Sequence, residues 1–317
     1  MGQKINPNIL RLGITKHWKT EFLEKKKKEL PLYIYKDLEI QSYIERFLES
    51  KGIFVHDYTQ FYSNNTLSLY ISCFISYKFC KSQKVSFTKA QTCLKYPVNV
   101  FFNKIGLKQD KISKDLLIKK MYYIKKKFQV NKFKSWNLKN VYTVLDCYLI
   151  NIFKVILEFT MHKFDIVINF SCINKDCSYF KIFKKKNFSL VQRFKSVSFF
   201  KQDGFELLCY VIFNKNSAKL LAKFISFHLK TIKRPTFLLS CVQKTLKVLM
   251  SIKKRAVVKG VKIIIKGRLR KGPRAKHKQV ILGDVPVQTI DLNIDYFQTT
   301  IHNSKGSYGI KVWIIYK

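Results

Sequence analysis

Positive charge runs through nearly every segment of this 317-residue chain, with 61 Lys and Arg against 19 Asp and Glu and a formal net charge of +42. A polypeptide with that excess repels itself, so a compact fold calls for a polyanion close by. Nucleic acid meets the need, because each phosphate paired with Lys or Arg also releases condensed counterions. An anionic membrane surface is the other candidate. The charge is spread along the chain rather than gathered in one tail, which fits burial in polyanion better than attachment to a bilayer. Hydrophobic residues still make up 47% and aromatics 15%, enough to build cores, so this is not a disordered basic tail.

Other classes find little support. The eight Cys, at 73, 80, 93, 147, 172, 177, 209 and 241, form no framework. With no sign of secretion, reduced thiols are the default. Cys172 and Cys177 are the closest pair, and no second close pair completes a zinc set. No metal and no cofactor are therefore expected. The His residues at 17, 56, 162, 228, 277 and 302 are isolated, and no nucleophile motif or phosphate loop is present, so no enzyme is expected. Met1–Leu12 lacks the continuous apolar core of a signal peptide. The most apolar stretch, Val141–Met161, is interrupted by Asp146, Asn151, Lys154 and Glu158. That pattern predicts a partly buried amphipathic helix rather than a membrane span. The heavy use of Phe, Tyr, Lys, Ile and Asn, all with A/T-rich codons, points to an organellar gene.

Three zones differ in character. In the first, to about residue 79, a lysine run at Lys25–Lys28 precedes a predicted helix over Asp37–Ser50, with Gly52 as its stop. Strands are predicted over Ile53–Tyr58 and Thr66–Ile75, joined by the turn-prone Ser63-Asn64-Asn65. The second zone, about 80 to 200, is rich in Lys, Phe and Asn and lacks punctuation. Basic residues among aromatics suit irregular RNA, although most of those rings fit a core. In the third zone Phe205–Phe213 reads as a buried strand, and Asn216–Lys230 as a helix with Asn216 or Ser217 at its N-cap. Thr236–Arg255 reads as a second helix, and Val257–Lys266 as a strand. The densest basic segment follows, from Gly267 to Lys278, before predicted strands at Val285–Tyr296 and Gly309–Tyr316. The alternation Ile310-Lys311-Val312-Trp313-Ile314 places Trp313 in the core and Lys311 outside.

The two ends carry a resemblance. Met1-Gly2-Gln3-Lys4-Ile5-Asn6-Pro7, then Leu10-Arg11-Leu12-Gly13, resembles the opening of the universal small-subunit ribosomal protein S3 family. Lys266-Gly267-Arg268-Leu269, Gly283-Asp284-Val285-Pro286-Val287-Gln288-Thr289-Ile290 with Ile294-Asp295-Tyr296, and Gly306-Ser307-Tyr308-Gly309-Ile310-Lys311-Val312-Trp313-Ile314 are similar to three further blocks in the family's order. The likeness covers roughly residues 1–79 and 205–317.

The resemblance implies an α+β fold: an N-terminal KH-like domain of type II with a large insertion, then a C-terminal α/β two-layer domain. The expected division is a basic extension at 1–32, a KH-like domain at 33–213 interrupted at about 80–200, and a C-terminal domain at 214–317. Helix 37–50 and strands 53–58 and 66–75 look like the first half of the KH-like domain, and strand 205–213 like its last strand. One departure stands out. A working KH domain presents a Gly-x-x-Gly loop to nucleotide backbone, whereas the matching region reads Ser76-Tyr77-Lys78-Phe79-Cys80-Lys81-Ser82-Gln83-Lys84, so KH-type binding of single strands is not expected.

The resemblance further implies a structural constituent of the head of the small subunit. Its expected partners are small-subunit rRNA, mRNA at the channel through which it enters the subunit, and the head proteins S10 and S14, with no membrane and no self-association. The mitochondrial matrix is expected ahead of a plastid or bacterial cytoplasm. Candidate RNA-binding residues are Lys4, Arg11, Lys16 and Lys19 in the opening; Lys244 and Lys247 beside Gln243, on the helix where the family lines the mRNA path; Arg255; and Lys266, Arg268, Arg270, Lys271, Arg274, Lys276 and Lys278. Two rivals remain from sequence: an organellar RNA-processing or intron-splicing factor, which would need paired carboxylates for metal-assisted chemistry, and a protein bound to anionic membrane surface.

Overall fold

The computed structural model describes residues 5–24, 28–63, 65–77, 79, 98–101, 139–174, 203–231, 235–251, 257–267, 277–303 and 306–317. The fold is α+β, with two sheets and five helices among those residues. In chain order the elements are β1 (Thr20–Glu21), α1 (Leu30–Lys51), β2 (Ile53–Tyr62), β3 (Thr66–Ile75), β4 (Val98–Phe101), α2 (Lys139–Phe159), β5 (Asp165–Cys172), α3 (Phe205–Phe213), α4 (Ala218–Thr231), α5 (Pro235–Ser251), β6 (Val258–Lys266), β7 (His277–Gly283), β8 (Ile294–Asn303) and β9 (Gly306–Tyr316).

The first sheet runs β1-β2-β3-β5-β4. Strand β3 alternates as the sequence predicts, so Leu67, Leu69 and Ile71 lie buried against Ile40, Ile44 and Leu48 of α1 and Leu149, Ile152 and Ile156 of α2. Helix α1 starts seven residues before its predicted Asp37, with Pro31 in the first turn, where its missing N–H costs nothing. It stops at Gly52, whose φ of 86° is the left-handed cap that a side chain would resist. Helix α2 is the amphipathic helix expected around Val141–Met161. Among the described residues no helix is long and apolar enough to cross a membrane.

The last strand of this sheet in chain order corrects the expectation at Phe205–Phe213. It is β5, parallel to β3 and reached from α2, an arrangement consistent with a KH-like domain. Residues 205–213 are instead helix α3, with eight of its nine side chains buried. A continuous apolar run has no period that separates a buried strand from a buried helix. Here the run is enclosed on every side, joining a core shared with α4, α5 and the second sheet.

The second sheet, β7-β6-β9-β8, is wholly antiparallel and carries α3, α4 and α5 on one face. Its inward residues Val261, Ile263 and Ile265 of β6 and Ile310, Val312 and Ile314 of β9 are fully buried. Two further predictions shift. The predicted strand Val285–Tyr296 is irregular up to Asn293 and becomes strand only at Ile294. Strand β7, which the sequence pattern merges with the basic segment, pairs with β6 from Lys266–His277 to Gly260–Gly283. At that last pair a Cβ on Gly260 would stand 2.1 Å from the Asp284 carbonyl oxygen, so no side chain fits there.

Helix α4 lies between the two sheets, touching β2 on one side and β8 and β9 on the other. Its Lys219 donates to Glu45 Oε1 of α1 at 2.8 Å, and Lys223 reaches Glu45 Oε2 at 3.4 Å and donates to Glu49. Burial alone would raise the Glu45 pKa, but the two ammonium groups outweigh it and hold the carboxylate below its usual range. On the same helix His228 is 8% exposed, beside the rings of Phe224 and Phe227. Burial drops its pKa to about 4.

Since an unfolded His titrates near ~6.5, acid protonates the unfolded chain before the folded one. The His228 contribution is thus whole above that pH and lost as pH falls toward 4. Denaturant unfolding at about pH 7 and about pH 4.5 should show a loss of roughly 2–3 kcal/mol from this group. The variant His228→Gln should flatten that part of the profile, and an unchanged acid slope in the variant would contradict the assignment.

Candidate nucleic-acid interface

The expected RNA-binding residues fall into three groups, and the structure treats each differently. In the N-terminal segment, Lys4 lies outside the described residues. Arg11 is fully buried. Its Nε donates to the Leu292 carbonyl at 3.0 Å and its Nη1 to the Pro7 carbonyl at 2.9 Å, while Nη2 donates to the carbonyls of Thr289 and, at 3.5 Å, Val287. Arg11 therefore has its donors turned inward on protein carbonyls. The same geometry explains why Val285–Asn293 is not a strand. Pro286 has no N–H to give a neighbour, the carbonyls of 287, 289 and 292 are taken by the guanidinium, and Val285, Val287 and Leu292 pack on a small cluster with Ile294, Tyr296, Trp313 and Ile315. Asn8 adds a bond from its Nδ2 to the Tyr296 carbonyl at 2.8 Å.

Lys16 is also engaged internally: its Nζ donates to Asn216 Oδ1 at 2.9 Å and stands 3.7 Å from Asp295 Oδ1. The second oxygen of Asp295 accepts from the Ala218 N–H at 2.8 Å, at the start of α4, where the helix dipole favours an anion. Lys19 pairs with Asp57 at 2.8 Å, yet its side chain remains 58% exposed. A surface pair of that kind is worth little and yields readily to a phosphate.

The second group is the β6–β7 hairpin. Its base is fixed by the pairing of Lys266 with His277, and Lys266 and Lys278 are exposed there. Arg268, Arg270, Lys271, Arg274 and Lys276 belong to the connection and lie outside the described residues, as does Arg255. The third group is on α5, where Gln243, Lys244 and Lys247 are all exposed. Gln243 and Lys247 border a shallow groove with Met250, Ser251 and Ile281–Gly283, at the end of β7 farthest from the Lys266–His277 pair.

Sequence reasoning passed over the acidic partners. Glu45 and Glu49 stand four apart on α1, and Lys219 and Lys223 four apart on α4, a matched helical spacing that signals facing charges. Tyr296 packs on Trp313 with ring centroids 5.1 Å apart, both under 8% exposed, as core packing requires. Another depression lies on the first sheet between Asp57, Thr59, Ser68, Tyr70 and Asn169, and none of its lining residues is cationic. Cys73 and Cys172 face each other across β3 and β5. Burial pushes both thiols up, Cys172 to about 12, which disfavours the thiolate a metal would need. Among the described residues no three His, Cys, Asp or Glu gather into a metal-binding group.

Residues 240–314, from α5 to the end of β9, match the family described as ribosomal protein S3, C-terminal domain. Individual relatives agree. Small ribosomal subunit protein uS3 of Fusobacterium nucleatum is 42% identical over 59 residues, 19% of this chain and 27% of that protein. Small ribosomal subunit protein uS3c of Lolium perenne is 38% identical over 95 residues, 30% of this chain and 37% of its own length. The uS3c of Euglena longa is 44% identical over 57 residues, covering 18% and 26%. The chain thus spans roughly a quarter to two fifths of the length of the curated relatives it matches.

Replacing Arg11 by Ala should leave the carbonyls of residues 7, 287, 289 and 292 without their donor. A loss of about 2–3 kcal/mol is expected, together with faster proteolysis between residues 5 and 24. Unchanged protection of that segment would show that the guanidinium does not hold it.

Proposed function

Because this chain belongs to the ribosomal protein S3 family, we propose that it is a structural constituent of the small ribosomal subunit and contributes no catalysis. The observation that carries this reading is the conjunction of an S3 C-terminal domain at residues 240–314 with a net charge of +42. A fold of that charge is completed by rRNA: phosphate neutralises the repulsion and the protein in turn holds RNA segments together. The hairpin carrying Arg268, Arg270, Lys271, Arg274 and Lys276 is the foremost rRNA contact, with Lys266 and Lys278 at its base.

On the same reading the protein sits in the head of the subunit beside S10 and S14, and the exposed Lys244 and Lys247 of α5 border the channel through which mRNA enters. Lys lacks the planar fork of Arg, so this chain offers point charge rather than bidentate grip along that path. The N-terminal unit is KH-like in architecture and acts as scaffold, since its sequence lacks the Gly-x-x-Gly that brings backbone against nucleotide. The N-terminal unit ends with β5, and α3 goes with the C-terminal unit. The Lys, Phe and Asn bias supports a mitochondrial ribosome as its setting on this reading.

The test changes Arg268, Arg270 and Arg274 together to Ala and measures association with small-subunit rRNA as a function of salt. Binding should weaken, and the slope of log K against log salt should fall by about 2–3 units, near 0.9 for each phosphate no longer neutralised. An unchanged slope would remove the hairpin from the RNA-binding surface.

A further inference from the structure

The second sheet has another face, opposite its three helices. In-register partners put His277, Lys266, Gly309 and Thr300 in one row across β7, β6, β9 and β8, and Gln279, Ile264, Lys311 and Gln298 in the next. A third row holds Ile281, Lys262, Trp313 and Tyr296, with the Lys262 ammonium 5.7 Å from the Trp313 ring centroid. Segment Val285–Asn293, clamped by Arg11, packs against the cluster of Ile294, Tyr296, Trp313 and Ile315 at the far end of this face. The end toward the hairpin stays open: Lys266, His277, Gln279, Gln298, Thr300 and His302 are exposed, and a Cβ on Gly309 would meet nothing within 4 Å.

Two features define what this plane can take. The only carboxylate in the four strands, Asp295, points to the helix side, where it binds the start of α4. The described residues of the open plane therefore include Lys262, Lys266 and Lys311 and no carboxylate of the four strands, and the plane ends at the Lys266–His277 pair from which the basic connection leaves. Its only rings besides the imidazoles, Trp313 and Tyr296, are 6% and 7% exposed. Buried rings offer no platform for unstacked bases. What remains is cations for phosphate and neutral donors and acceptors at Gln279, Gln298 and Thr300, suited to ribose 2′-hydroxyls along a shallow minor groove.

We propose that this open half-sheet, with Lys266 and Lys311 as its principal cations, docks the backbone of base-paired RNA as a continuation of the hairpin contact. The proposal rests on the RNA-binding reading above and adds the surface and the form of RNA it takes. A double helix laid on the plane meets ammonium groups along its phosphates and amide side chains along its riboses, without sequence readout.

The experiment uses the full chain and an RNA duplex of about 16 base pairs, with the same sequence as DNA duplex and as single-stranded RNA for comparison. The wild-type protein should bind the RNA duplex more tightly than either. The double variant Lys266→Gln, Lys311→Gln should reduce the salt slope by about 1.8 units, the equivalent of two phosphates. Gly309→Lys, placed where a side chain has open space, should raise it by about 0.9 units. Wild-type binding with both variants unchanged, or a preference for the single strand, overturns the docking face and leaves the contact through Arg268, Arg270 and Arg274 intact. Failure of the wild type to bind any of these RNAs would count against RNA binding itself.

Discussion

Repulsion among cations is the constraint that the rest of this structure answers to. With so few carboxylates available, the described ion pairs sit at seams. Glu45 and Glu49 meet Lys219 and Lys223 where α4 joins the N-terminal unit. Asp57 meets Lys19 where the opening segment crosses β2, and Asp295 serves both Lys16 and the start of α4. Partly buried pairs of this kind repay their desolvation only when further hydrogen bonds complete them, and Glu45 has one from Gln41 at 2.9 Å. Further positive charge is exposed at the surface. In the C-terminal unit it lies on the hairpin base, the outward side of α5 and the open half-sheet.

Arg11 gives the second organising contact. Its guanidinium joins residue 7 to residues 287–292, so two sequence blocks from opposite ends of the chain form one structural unit. Pro7, Asn8 and Arg11 fold the opening over the edge of the second sheet. That cover also limits how much of the sheet is open, leaving the hairpin end free while the end near Asn293 is closed.

Much of the fold was legible. Strand β3 follows from a strict alternation, α2 from polar residues at one helical phase within an apolar stretch, and the end of α1 from Gly52. The failures have a common physical origin in partners distant along the chain. Residues 205–213 carry no polar side to mark a helix because the surrounding core leaves none exposed. Val285–Asn293 alternates well enough for a strand, but an arginine nearly 280 positions earlier claims its carbonyls. Strand β7 was hidden by its own charge, since an edge strand with one buried residue per several exposed ones resembles a basic loop. Among the candidate contacts the hairpin was legible as a cluster, whereas Arg11 and Lys16 could be assigned to protein only once their partners were in view.

An integral protein of the small ribosomal subunit, the role proposed for this chain, stays with that subunit when weakly bound proteins are washed away. Sucrose-gradient fractionation of organelle lysate, with mass spectrometry across the fractions after a high-salt wash, tests it most directly. Peptides from Ile53–Tyr70 and Ile263–Trp313 should travel with the small subunit. Their appearance only in light fractions, or with membranes, would contradict the account and return the processing-factor and membrane-surface readings to the front.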